Sequence, residues 1–237
     1  DEANLYTKKI IHDGLLGDLL YYQVDYSQRI DIPLKTFTNW IDDTDIFQYL
    51  GVHYVDLFYF LTGYIPDRLT AIGTDGILKE HGINAYDSIH VSIIWSRDDG
   101  GECITTFNTN WIDPGCTSAL SDQKYKLVGT KGRIENDHKN RGIELVTDES
   151  KIQHPNPYFS DYLFDADGKK QFSGYGYQSI RQFIMDVRDF KSGKYEIRYF
   201  ENKRPTFKQA IISTAVIESV HKSLSNKSNW ENINAQI

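Results

Sequence analysis

The sequence predicts an α+β protein: a large, mostly antiparallel, open sheet with helices packed on one face. Three observations carry that prediction. Residues 87–95 alternate, with Ile89, Val91, Ile93 and Trp95 on one side and Ser88, His90 and Ser92 on the other, which is the period of a strand buried on one face. Further short apolar runs follow, separated by Gly-containing turns. Beyond residue 175 the apolar period becomes that of a helix. Runs of strands flanked by helices argue for a sheet covered on one side. Its other face must then meet water, a second copy or another domain.

The elements follow in order. Gly14-Leu15-Leu16-Gly17-Asp18 leads into a strand over residues 19–30, rich in Tyr and Val. A loop with Pro33 and Trp40 precedes a helix that opens near Thr44-Asp45 and closes at Gly63, with Ile46, Leu50, Leu57 and Leu61 gathered on one side. Pro66 starts a new segment, and residues 68–74 read as a strand. After the strand at 87–95, a turn at Asp98-Asp99-Gly100-Gly101 returns the chain as an antiparallel partner over 102–111. Strands over 124–129, 133–137 and 143–147 are joined by turns at Thr130-Lys131-Gly132 and Asn140-Arg141-Gly142. Residues 150–175 read as a polar, aromatic loop. Ile180, Phe183, Ile184 and Val187 form a helical stripe ending near Gly193. Pro205 or Thr206 opens the last helix, with Phe207, Ala210, Ile211, Thr214, Ala215, Ile217 and Val220 as its expected buried side.

Composition narrows the function. A chain of 237 residues can bury a sizeable core, and residues 1–237 are expected to form one domain. The formal net charge of −7 argues against nucleic acid or an anionic membrane as the main partner. No apolar run is long enough to span a bilayer, and no signal-peptide pattern opens the chain. A disulfide between Cys103 and Cys116 is one reading, and two buried thiols in a reducing cytoplasm are the expectation; neither has a zinc-ligand spacing, so no metal site is expected. The chain begins at Asp1 and Met185 is its single methionine, so it is expected to be a piece of a longer protein.

His53 is the leading chemical candidate. It lies on the helix ending at Gly63, in the middle of a face expected to be buried, with Tyr49 at i−4 and Asp56 at i+3. An imidazole between a phenol and a carboxylate on a rigid element suits acid/base work. A core histidine satisfied by Asp56 or Tyr49 is the alternative. Arg29, Asn39, Trp40, Asp56, Asn110 and Trp111 are the candidate ligand-binding residues, offering polar groups and flat rings. His90 is expected to be a half-exposed sheet residue with no partner at ligand spacing.

Several motifs, taken in order, resemble the C-terminal domain of the Gfo/Idh/MocA oxidoreductases, the family of glucose-fructose oxidoreductase and inositol dehydrogenase. They are Ile11-His12-Asp13-Gly14-Leu15-Leu16-Gly17-Asp18, Gly51-Val52-His53-Tyr54-Val55-Asp56-Leu57 with Phe60-Leu61-Thr62-Gly63, and Gly129-Thr130-Lys131-Gly132-Arg133-Ile134; helical stretches at 183–190 and 207–221 resemble the two closing helices. The resemblance implies a sheet like that of the dihydrodipicolinate reductase C-terminal domain. It implies NAD or NADP in the complete protein, a sugar, sugar derivative or cyclitol as substrate, His53 as acid/base with Tyr49 beside it, and pairing of copies through the open sheet. Tyr49 stands where many members carry an aspartate. The family's Rossmann half, with its phosphate loop and Glu-Lys-Pro lysine, is missing from these residues. Gly174-Tyr175-Gly176 follows no βαβ pattern, so no cofactor is expected on this chain and no turnover from it alone. Two further readings within the resemblance are a non-catalytic binding or regulatory module and an NAD-dependent glycosidase.

Overall fold

A computed structural model describes residues 2–97, 99–117, 120–139, 142–147, 151–153, 160–164, 166–201 and 203–235. At its centre β1 (Leu19–Arg29) runs parallel to β4 (Glu102–Asp113) and antiparallel to β5 (Ser121–Gly129). Beyond β4 come β3 (Ser88–Ser96), β2 (Ile65–Thr74) and the short β11 (Glu231–Asn232). Beyond β5 come β6 (Gly132–Asp137), β7 (Gly142–Thr147) and β8 (Lys151–Gln153). Every pair except β1–β4 is antiparallel, so the large antiparallel open sheet expected from the alternation is present. A separate ribbon pairs β9 (Ser160–Phe164) with β10 (Lys170–Gly174).

The helices are α1 (Glu2–His12), α2 (Val52–Thr62), α3 (Ile77–Glu80), α4 (Tyr175–Lys191), α5 (Ile197–Glu201) and α6 (Phe207–Ser225). α6 lies on β2, and α2 packs against both α6 and α1. Beneath α2 the core is aromatic: Phe58 stacks on Tyr22 at 5.1 Å and meets Trp95 edge-on at 4.8 Å, all three fully buried. Such ring pairs add directional preference to the area they bury.

Two Gly motifs meet at the start of β1. Thr130 N–H donates to Asp18 O, Lys131 N–H to Leu16 O, and Asp18 N–H to the Thr130 hydroxyl. A Cβ on Gly129 would stand 2.2 Å from Leu16 O, and Gly17 adopts φ +68° against Thr130. Glycine is required at Gly129 by close backbone approach and favoured at Gly17 by its left-handed conformation.

The structure departs from the sequence reading in several places. The helix carrying His53 begins as a π turn over Phe47–Gly51 before becoming α2, because the buried Phe47 ring lies against Gly51, where a Cβ would sit 2.3 Å from it. Residues 150–175 contain β8, β9 and β10 among those described; Asp98, Asn140, Arg141 and Ser150 lie outside the described residues. The stripe Ile180, Phe183, Ile184 and Val187 exists on α4 but is exposed, and no described residue of α4 is buried. On α6 the buried side is Ile212, Ala215, Val216 and Val220, whereas Phe207 is 95% exposed and Ala210, Ile211 and Thr214 also face outward. α6 is apolar on two sides, and periodicity alone does not choose between them. Thr206 opens it through a capping box with Gln209.

The face of the sheet away from α2 and α6 has a banded surface fixed by strand register. Ile94, Ile104, Tyr21, Val128, Val146 and Ile152 form an apolar row interrupted by Arg133. Beside it runs a polar row of Ser92, Thr106, Gln23, Lys126, Glu135 and Glu144. Next comes a third row in which His90 bonds Ser88 and Asn108, and Asn108 donates to Asp25. A hollow of about 560 Å³ opens over β1, β5, β6 and β7 on this face.

Replacing Phe58 by Ala should cost about 3–5 kcal/mol in urea unfolding, because the ring leaves a cavity between Tyr22 and Trp95. Phe207→Ser should change stability by less than about 0.5 kcal/mol, since that ring touches little.

Candidate active site

The outer face of α2 carries His53, Asp56 and Phe60 at i, i+3 and i+7, all exposed. This corrects the expectation that His53 lies mid-way across a buried face. Tyr54, Val55, Phe58 and Leu61 take the inward positions, and the π turn places Ile46, Phe47 and Leu50 in the core before them. His53 is therefore not a sealed core histidine. Its imidazole meets solvent at the surface of a helix whose opposite side is locked.

That locking is polar as well as apolar. The Tyr54 hydroxyl lies 3.3 Å from Gln123 Oε1, to which it donates, and 3.1 Å from His138 Nδ1. Asn136 Nδ2 donates to Tyr125 Oη at 3.1 Å and to His138 Nε2 at 2.9 Å. With Nε2 accepting, the His138 proton sits on Nδ1 and is donated to the Tyr54 oxygen. Burial pushes the Tyr54 phenol far above its usual range, so it stays protonated and keeps this bond at any working pH.

Asp56 keeps an exposed edge, yet partial burial pushes its carboxyl above the usual range, while the His53 charge and the Ser213 hydroxyl pull it back. Lys8 on α1 reaches over the Phe60 ring at 3.7 Å, and burial lowers its pKa. Lys8 was not singled out in the sequence, because its neighbour on α2 is distant along the chain. Tyr49 is half-buried and forms a three-ring cluster with Phe37 (4.7 Å, edge-on) and Trp40 (6.1 Å); Phe37 and Trp40 are 4.2 Å apart. Tyr26 on β1 comes near Tyr49 and Tyr175, and burial pushes its phenol up to about 12.

The other candidates scatter. Asn39 is exposed in the same loop as Trp40. Trp111 is fully buried and donates its indole N–H to Tyr86 O, so it is a core ring. Asn110 points to the open sheet face, where it donates to the Ser27 hydroxyl. Arg29 spends its guanidinium on the Thr117 hydroxyl and carbonyl. The structure thus packs Tyr49 on Trp40 and, further along the same segment, sets Asp56 within charge reach of His53; Asn110 and Trp111 lie apart, one on the open sheet face and the other in the core.

A pairing that sequence order hides anchors the segment. Asp45, 8% exposed, accepts from Gln48 N–H through one oxygen and lies 2.6 Å from His221 Nε2 through the other; its carbonyl accepts from Tyr49 N–H. His221, on α6, is raised in pKa by this bond.

Among the described residues no group of three or more His, Cys, Asp or Glu could hold a metal ion, and no helix is long and apolar enough to cross a membrane. Cys103 is buried and Cys116 exposed, both as free thiols, so the expectation of two buried thiols holds for Cys103 only. Gly174-Tyr175-Gly176 joins the antiparallel ribbon to α4, and among the described residues no parallel βαβ unit surrounds it, so this Gly-x-Gly does not have the setting of a dinucleotide loop.

A family model described as the GFO/IDH/MocA C-terminal domain matches residues 5–135. No curated protein matches the sequence. Among solved structures, an inositol dehydrogenase homolog from Azotobacter vinelandii, complexed with NADH and myo-inositol, is similar over 97% of this chain and 61% of its own, with TM-score 0.71 and 13% identity. A levoglucosan dehydrogenase in complex with NADH and levoglucosan is similar over 98% and 63%, with TM-score 0.68 and 16% identity. An oxidoreductase from Sinorhizobium meliloti is similar over 97% and 61%, with TM-score 0.70 and 15% identity. The chain spans about three-fifths of the length of these proteins, and at such identities the likeness shows the fold.

The Asp45–His221 bond should show in thermal melts across pH. Because the folded pKa of His221 lies above its unfolded value, the bond's contribution is full below the unfolded pKa and is lost as pH rises through the folded one. The wild-type midpoint should fall over that window, and His221→Gln should remove the step.

Proposed function

The chain belongs to the Gfo/Idh/MocA C-terminal domain family, and from that premise we propose that it is the substrate-binding and oligomerisation part of an NAD(P)-dependent oxidoreductase acting on a hydroxyl or carbonyl of a sugar, sugar derivative or cyclitol. The observation that carries the reading is the outward placement of His53 beside Asp56 on a rigid helix, with the ring cluster of Tyr49 and Trp40 one turn before it.

His53 takes the proton from a substrate hydroxyl as general base and returns it in the reverse direction. The Asp56 carboxylate stabilises the imidazolium so formed by charge attraction, and the His53 charge acts to keep Asp56 ionised. Tyr49 stands where a carboxylate is usual in the family; its phenol hydrogen-bonds the substrate without adding charge. The nicotinamide, NAD or NADP, supplies the hydride acceptor when bound, and it is held on a dinucleotide-binding domain outside these residues. This chain without that domain has no turnover.

Two surfaces support the partners in this reading. The exposed stripe of α4 and the outer side of α6 (Phe207, Ile211) are apolar areas suited to a docked domain. The apolar row on the open sheet, rimmed by Lys126, Glu135 and Glu144, suits pairing with a second copy around a two-fold axis. The free thiols fit a reducing cytoplasm.

In the complete protein, His53→Asn should lower kcat by about 10²–10⁴-fold while the melting midpoint stays near wild type; wild-type turnover would remove His53 from the chemistry. Sedimentation of the 237-residue chain should give a dimer or larger species. A monomer at all concentrations would remove the sheet-pairing part of the proposal.

A further inference from the structure

Trp40 is 41% exposed although it belongs to a tight ring cluster, packed on Phe37 at 4.2 Å and on Tyr49 at 6.1 Å. A tryptophan clamped from behind and open in front is a rigid flat surface that loses little side-chain freedom when something stacks on it. Tyr49 connects it to the helix of His53, since Tyr49 lies one turn earlier on the same segment. Tyr26 lies within electrostatic reach of Tyr49 and of Tyr175, the latter half-exposed at the start of α4. The wall is therefore made of rings and phenol hydroxyls.

The charges that follow Trp40 along the chain are acidic. Asp42 and Asp43 follow Trp40 directly and are exposed, and Asp42 accepts from Asn84 N–H. Asp45 is held by His221. The two cations of this stretch are turned to other partners: Lys35 pairs with Asp31 at 2.9 Å, and Arg29 donates to the Thr117 hydroxyl and carbonyl. A ligand bearing phosphate or carboxylate on Trp40 would meet the exposed Asp42 and Asp43 while Lys35 and Arg29 are directed at Asp31 and Thr117, at an electrostatic cost. A neutral ring with one apolar face and hydroxyls at its edge meets flat carbon and phenol oxygens.

We propose that Trp40, held by Phe37 and Tyr49, is the stacking platform for the ring of an uncharged sugar or cyclitol, and that this subsite rejects phosphorylated, carboxylated and nucleotide-linked sugars. The proposal rests on the substrate reading given above and narrows it to neutral rings. Trp40 here determines specificity and takes no part in proton transfer.

Calorimetry on the chain tests it with four probes: myo-inositol, methyl α-glucopyranoside, glucose 6-phosphate and glucuronate. At least one neutral ring should bind, and both charged sugars at least about tenfold more weakly. Trp40→Ala should weaken the neutral ligand about tenfold, and Trp40→Phe should recover most of the loss, as expected if a flat ring is what matters. Trp40→Ala loses the packing on Phe37 and should melt somewhat below wild type, Trp40→Phe nearer to it, and binding is read well below both midpoints. In the complete protein the Trp40→Ala effect should appear in KM with kcat nearly unchanged. Equal binding by Trp40→Ala, tighter binding of the charged sugars, absence of binding by every probe, or a Trp40 indole buried under another domain in the complete protein would each overturn the platform. Neutral-ring binding without nicotinamide reduction by the complete protein would leave the platform standing and remove the dehydrogenase reading. Turnover of a neutral polyol with KM unaltered by Trp40→Ala would do the reverse.

Discussion

The packing of Phe58 between Tyr22 and Trp95 is the constraint on which the rest depends. A helix laid on a sheet can rotate about its own axis unless large side chains fix it. Here Phe58 and Tyr54 point down into rings from β1, β3 and β5, and the Tyr54 hydroxyl is tied to Gln123 and His138. With those positions committed, His53, Asp56 and Phe60 have only the outward side left. The exposure of the imidazole follows from the burial of its neighbours.

The same one-sidedness explains the surfaces that remain. α1, α2 and α6 cover one face of the sheet, so its register alone decides what the other face shows, and it shows an apolar row beside charged ones. α6 uses one apolar side on β2 and leaves Phe207 and Ile211 outside; α4 leaves its whole stripe outside. Exposed apolar surface of this kind is what a docked domain or a second copy would cover in the proposed assembly.

What the sequence made legible was local. The alternation at 87–95 needs no partner to be read, and Gly63 ends α2 with φ +74° as a C-terminal glycine should. The order of the Gly motifs was also visible, and the structure gives its reason: the turn at 129–132 closes onto Leu16 and Asp18. Illegible were features that depend on what lies across space. The Asp45–His221 bond joins residues 176 positions apart. The amphipathic stripe of α4 was readable as a pattern, but nothing in the pattern says whether a partner is present. Asn110 and Trp111 are adjacent in sequence, yet strand parity sends one to the open face and the other to the core. The extra residue of the π turn before Val52 shifts helical phase, which is why His53 was expected inside and lies outside.

The account stands on the outer face of α2 being a working surface. A crystal structure of the complete protein with a neutral ring polyol tests this most directly. The account predicts a substrate hydroxyl within about 2.6–3.2 Å of a His53 ring nitrogen. Electron density placing the polyol elsewhere, with another segment's side chains filling the space over His53, would contradict it.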